Sequence, residues 1–66
     1  MMVRNRVRSR RVEIKMTQEE LADKIGVTRQ TIGLIEKEKY NPTIHLCLQL
    51  KEILNMSLDE LFWEEK

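Results

Sequence analysis

The sequence predicts an all-α domain of five short helices, and three observations carry that prediction. One helix-start signal recurs at Met16-Thr17-Gln18-Glu19-Glu20-Leu21, at Val27-Thr28-Arg29-Gln30-Thr31-Ile32 and at Met56-Ser57-Leu58-Asp59-Glu60-Leu61. Apolar residues between and after these starts recur at helical spacing. No alternating, strand-like pattern of comparable strength is present.

The first helix is expected over Val3 to Ile14, with Val7 and Ile14 on its inner face. The second runs from Gln18 to Ile25. Thr17 can accept from an exposed N–H of the new helix while Glu20 reaches back to the threonine backbone, a capping box, and Met16 can pack on Leu21 as a hydrophobic staple. Gly26 follows the last apolar residue of this helix and precedes the next cap by two positions. A glycine inside a helix costs about 1 kcal/mol relative to alanine, whereas here positive φ is useful, so Gly26 reads as a joint. The third helix spans Arg29 to Lys37 from the Thr28 cap, the weakest of the three because Thr31 stands where the box wants an acid. Asn41-Pro42 ends it, and Thr43 opens the fourth helix, Ile44 to Leu54. Ser57 with Glu60 completes a second box and starts the fifth, Leu58 to Phe62. One core is predicted from Val7, Ile14, Leu21, Ala22, Ile25, Ile32, Ile35, Ile44, Cys47, Leu48, Leu50, Leu54 and Leu61.

Sixty-six residues allow a single domain, 1–66, at the size where burial is barely sufficient and a second copy often adds core. The 41% hydrophobic and 35% charged composition suits a globule rather than a disordered chain. Net charge is only +1, yet residues 1–16 carry Arg4, Arg6, Arg8, Arg10, Arg11 and Lys15 against Glu13, while 57–66 carry Asp59, Glu60, Glu64 and Glu65 against Lys66. Such a basic start is either a solvated helix face or a footprint for a polyanion. The lone Cys47 forbids an intrachain disulfide and, with only His45, leaves no zinc set. A buried structural thiol is the default. No apolar run reaches the roughly 18 residues of a membrane span, and the arginine-rich start lacks a signal-peptide core, so a cytoplasmic protein without membrane partners is expected.

Two short helices separated by Gly26-Val27-Thr28 describe a helix-turn-helix. At these residues the chain resembles the Cro/CI-type (XRE-like) family of helix-turn-helix transcriptional regulators, which includes the lambdoid phage repressors. The resemblance covers about Asn5 to Phe62. It rests on Met16-Thr17-Gln18-Glu19-Glu20-Leu21-Ala22, Ile25-Gly26-Val27-Thr28-Arg29-Gln30-Thr31-Ile32, Ile35-Glu36, Asn41-Pro42-Thr43 and Ser57-Leu58-Asp59-Glu60-Leu61-Phe62. It implies a compact five-helix lambda-repressor-like domain whose third helix enters the major groove of double-stranded DNA.

By that resemblance Arg29, Gln30, Gly33 and Leu34 are the base-reading positions. Arginine can donate twice to guanine and glutamine can pair with adenine, each worth ~1–3 kcal/mol of discrimination. Gly33 lets the backbone come close. Leu34 either packs on a thymine methyl or is a partly buried rim residue. Gln18, Thr28, Thr31, Lys37, Lys39 and Asn41 are the phosphate-contacting candidates, with Arg6 and Arg10 as further contributors; a role as caps only is the alternative for Thr28 and still more for Thr17. Arg11 and Glu36 correspond to a pair that locks the third helix in some relatives; without coordinates, two exposed charges is the equal alternative.

A single short helix reads few base pairs, so a homodimer on a palindromic operator is expected, with Leu46, Ile53, Phe62 and Trp63 as candidate contacts; Trp63 equally well closes the chain's own core. Repression by blocking polymerase is the leading function, and a protein-interaction module such as a DNA-binding antitoxin is the alternative, disfavoured by the lack of a toxin-wrapping tail. No nucleophile–base pair, metal set or phosphate loop suggests an enzyme. Neither a cofactor nor a small-molecule effector is expected.

Overall fold

In the computed structural model, which describes residues 2–65, the chain forms five helices closed by one strand pair. Strand β1 (Met2–Asn5) precedes α1 (Val7–Glu13), α2 (Gln18–Ile25), α3 (Arg29–Glu36), α4 (Ile44–Leu54) and α5 (Leu58–Leu61), and strand β2 (Phe62–Glu65) returns antiparallel to β1. The register sets Val3 opposite Glu64, Arg4 opposite Trp63 and Asn5 opposite Phe62. An all-α description is therefore approximate. The first helix starts four residues later than its apolar and basic pattern predicts, and the last helix ends one residue earlier. Pairing between residues about sixty positions apart decides both, and neither Met2-Val3-Arg4-Asn5 nor Phe62-Trp63-Glu64-Glu65 alternates apolar with polar residues.

The helix starts follow the local chemistry. Thr17 and Ser57 accept from the backbone N–H of Glu20 and Glu60, and both glutamates reach back to complete their boxes. Thr28 and Thr43 cap α3 and α4 by the first half of that exchange alone. The helix stops share one conformation: Lys15, Gly26, Glu38 and Asn55 all have φ between 54° and 74°. At Gly26 the turn closes with the Val27 N–H on the Ala22 carbonyl at 3.0 Å, the arrangement that satisfies carbonyls left over at a helix end.

Val7, Leu21, Ala22, Ile25, Ile32, Ile35, Leu50, Leu54 and Leu61 form one buried cluster, with Met16, Val27 and Met56 packed on it as the staples require. Cys47 is buried as expected, and burial pushes its thiol pKa up. Ile14 is only partly buried. Ile44 and Leu48 depart from the prediction, being 71% and 44% exposed. At ~100° per residue Leu48 lies more than about 120° around α4 from the mean direction of Cys47, Leu50 and Leu54. Leu46 and Ile53, expected on the outside, pack on the core instead. The apolar surplus of α4 thus sits on Ile44 and Leu48.

Candidate nucleic-acid interface

Helix α3 owes its orientation to Ile32 and Ile35, both fully buried. Helical periodicity then turns Arg29, Gln30, Gly33, Leu34 and Lys37 the other way, and with Gln18 they line a single open groove. All four predicted base-reading positions lie there. Leu34 is 42% exposed, which fits a partly buried rim residue and leaves its outer part open to a thymine methyl. Gly33 is not required by a turn: a Cβ at this position would meet Gln18 Nε2 at 3.8 Å, an ordinary contact.

Behind the groove lies a connected polar network. Arg11 Nε donates to Glu36 Oε2 at 2.7 Å and Arg11 Nη2 to Glu36 Oε1 at 3.4 Å. The side chains are 11% and 2% exposed, which decides for the pair and against two solvated charges. Arg11 Nη1 also donates to the Met16 carbonyl at 2.7 Å. Gln18 Nε2 donates to Glu36 Oε1 at 3.0 Å, and its Oε1 accepts from Arg29 Nη1 at 3.3 Å. Glu36 thereby organises three helices: α1 through Arg11, α2 through Gln18, and, by way of that glutamine, the exposed tip of α3.

The phosphate candidates divide. Lys37, Lys39 and Asn41 are exposed around the end of α3 and the loop that follows. Thr28 spends its hydroxyl on the Thr31 N–H at 3.1 Å, and the two hydroxyls lie 3.0 Å apart. The side-chain amide of Gln18 is engaged at both ends, and Glu19, Glu20 and Asp23 border the same surface. The Thr17 backbone N–H, then its hydroxyl, hold the Glu20 carboxyl below its ordinary pKa, so negative charge already flanks the start of α2. Arg6 and Arg10 do not join this face. Arg6 stacks 4.5 Å above the Trp63 ring and donates to the Glu60 carbonyl, while Arg10 donates to the Leu54 carbonyl and to Glu13. Sequence reasoning missed Arg4, Asn5 and Glu38, which hold the far end of α3. Their link spans thirty to thirty-four positions and leaves no local signal.

A family model described as helix-turn-helix matches residues 7–61. The chain belongs to the Cro/CI-type helix-turn-helix family of DNA-binding transcriptional regulators. An uncharacterized HTH-type transcriptional regulator from Archaeoglobus fulgidus is 45% identical over 60 residues, covering 91% of this chain and 86% of the relative. The immunity repressor protein of Bacillus phage phi105 is 31% identical over 65 residues, spanning 98% of this chain but 45% of the repressor. Among solved structures, the restriction-modification controller protein C.AhdI from Aeromonas hydrophila superposes with a TM-score of 0.79 at 32% identity, covering 86% of each chain. Among the described residues no helix is long and apolar enough to cross a membrane, and no cluster of three or more His, Cys, Asp and Glu is placed to hold a metal ion.

Proposed function

We propose that this helix-turn-helix regulator is a dimeric repressor that inserts α3 into the major groove of a palindromic operator. One observation carries the reading: Arg29, Gln30, Gly33 and Leu34 share an open groove on the face of α3 opposite the buried Ile32 and Ile35. Arg29 keeps most of its guanidinium fork free for guanine O6 and N7, and Gln30 is exposed for adenine. Lys37, Lys39 and Asn41 flank that edge and supply sequence-independent phosphate contacts, joined by Thr28, Thr31 and the N-terminal end of α2 at Gln18. The molecule measures 32 × 21 × 20 Å, so two copies can sit side by side on half-sites ~34 Å apart. Ile44 and Leu48, the apolar residues α4 leaves exposed, are the contact between them, since Phe62 packs on its own subunit's core and Trp63 lies under Arg6. A repressing role is supported by the phage immunity repressor among the relatives.

Selection of bound duplexes from a random pool tests this directly, because it reports specificity and half-site symmetry together. On the selected site Arg29→Ala relaxes preference at one base pair per half-site, by ~1–3 kcal/mol, while the fold is retained. Equal loss on every sequence would remove Arg29 from the base-reading role.

A further inference from the structure

The C-terminal end of α3 is held by β1, which precedes the residues 7–61 that the family model matches. Helix α3 stops with the Glu38 N–H on the Ile35 carbonyl at 3.0 Å and the Lys39 N–H on the Leu34 carbonyl at 2.9 Å. The residue at the centre of this stop takes a left-handed conformation, usually supplied by glycine. Here it is a glutamate with φ of 63°. Its carboxylate turns toward β1: Glu38 Oε2 accepts from Arg4 Nε at 3.0 Å and from the Asn5 backbone N–H at 3.2 Å, with the side chain 19% exposed. Asn5 then donates from Nδ2 to the Ile35 carbonyl at 3.0 Å, and its Oδ1 accepts from the Val7 N–H. Arg4 extends the link to β2, donating from Nη1 to both carboxylate oxygens of Glu65 at 3.1 Å.

A left-handed residue is not in itself an argument, since Lys15 adopts the same conformation at the end of α1. What distinguishes Glu38 is that one carboxylate oxygen gathers two donors from a strand thirty-three and thirty-four positions away. With Asn5, this makes three hydrogen bonds between β1 and the last turn of α3. The Arg11–Glu36–Gln18–Arg29 network holds the same helix at Glu36, its last residue, and reaches through Gln18 to Arg29, its first. From this geometry we infer that Glu38 is a positioning residue for DNA reading, latching the end of α3 to the hairpin of the two chain termini. The orientation at which α3 meets the groove then depends on that hairpin being closed. The inference rests on the proposed docking of α3.

The sign of the effect makes it testable. Glu38 lies between Lys37 and Lys39 at the phosphate-facing edge. If it were only a surface charge, Glu38→Gln would strengthen binding to every duplex by removing repulsion. As a latch, the same change weakens binding to the selected duplex, on the order of tenfold, and leaves a scrambled duplex equal or slightly tighter. Glu38→Gly is the companion variant. It relieves the backbone conformation while removing the carboxylate, so the fold is kept and affinity for the selected duplex still falls. The measurement is the affinity of full-length wild type, Glu38→Gln, Glu38→Gly, Arg4→Gln and the Arg4→Gln, Glu38→Gln double variant for selected and scrambled duplexes, with urea midpoints recorded alongside. Non-additive loss in the double variant supports the Arg4–Glu38 latch. Either Glu38 variant matching or exceeding wild type on the selected duplex, or losing equally on both duplexes, overturns it while leaving α3 as the reader. A wild type with no preference among duplexes overturns the docking itself, and the latch with it.

Discussion

Replacing Glu36 by alanine should be the most damaging single change behind the proposed reading face. The carboxylate is 2% exposed and accepts three hydrogen bonds, two from Arg11 and one from Gln18. Its removal leaves the Arg11 guanidinium, 11% exposed, with only the Met16 carbonyl. Stranding one member of a buried ion pair costs about 3–5 kcal/mol. A chain of this length has a total stability of about 3–10 kcal/mol, so the variant should lose a large share of it. Urea unfolding followed by circular dichroism would show a lower midpoint at unchanged slope. Heating would show a loss of at least about 12 °C, at 4–8 °C per kcal/mol for a small domain. The control is Arg11→Met with Glu36→Leu, which removes both charges and should recover most of the stability. That double variant should nevertheless read DNA poorly, because Gln18 and, through it, Arg29 lose their anchor. A Glu36→Ala loss below about 1 kcal/mol would mean that the pair behaves as a solvent-screened one and would refute the reasoning.

Three further outcomes follow from particular residues. Gly33→Ala should stabilise the domain by about 0.4–1 kcal/mol, since its Cβ finds only an ordinary contact with Gln18 Nε2; a lower urea midpoint would refute this, and a more stable fold with weaker DNA binding would indicate that the helix backbone approaches the duplex closely. The capping glutamates Glu20 and Glu60 have lowered carboxyl pKa values because the backbone N–H and then the hydroxyl of Thr17 and Ser57 favour the charged form. Their contribution is therefore complete above the ordinary glutamate range and disappears as pH falls through the lowered values. The stability gap between wild type and Glu20→Ala, Glu60→Ala, read from denaturation across the acid range, should close over that interval, and a constant gap would count against it. Leu48→Lys should leave the fold within about 0.5 kcal/mol but shift sedimentation toward the monomer, whereas an unchanged dimer would exclude that face of α4 as the contact.

The parts of the fold legible in the sequence are those decided by residues a turn apart. Thr17 with Glu20 and Ser57 with Glu60 announce their boxes because each cap and its partner are three positions apart, and Gly26 announces the joint because few residues adopt its φ cheaply. Lys15 and Glu38 end helices in the same conformation without announcing anything, since neither is a residue type that prefers it. The strand pair was illegible for a different reason: Asn5 and Phe62 are neighbours only once the helices between them have packed. On α4 Ile44 and Ile53 both lie about 90° from the mean direction of Cys47, Leu50 and Leu54, so periodicity alone could not choose between them, although it already points Leu48 outward. Packing against the other helices made that choice. At the site, the residues of α3 were readable from one helix face, whereas Arg11–Glu36 came from resemblance and the hold of β1 on Glu38 came from coordinates alone.

Closing the termini into a hairpin also changes what the basic start of the chain means. Arg4 meets Glu38 and Glu65, Arg6 meets Trp63 and the Glu60 carbonyl, Arg10 meets Glu13 and the Leu54 carbonyl, and Arg11 meets Glu36. Four of the five arginines that looked like a polyanion footprint, all but the exposed Arg8, are thus engaged by the protein's own groups. The exposed pairs among them contribute only about 0.2–1 kcal/mol each, so stability alone is a weak account of them. Their larger effect is on where positive charge remains. With those arginines engaged, the cations lining the groove are Arg29 and Lys37, with Lys39 exposed just beyond the end of the helix that would carry the sequence information. Non-specific affinity grows with the number of phosphates neutralised, and a broad basic surface would raise it on every duplex alike. Engaging four arginines on the protein's own groups would lower that background, so that, on the proposed docking, discrimination at Arg29 and Gln30 would form a larger fraction of the total binding energy.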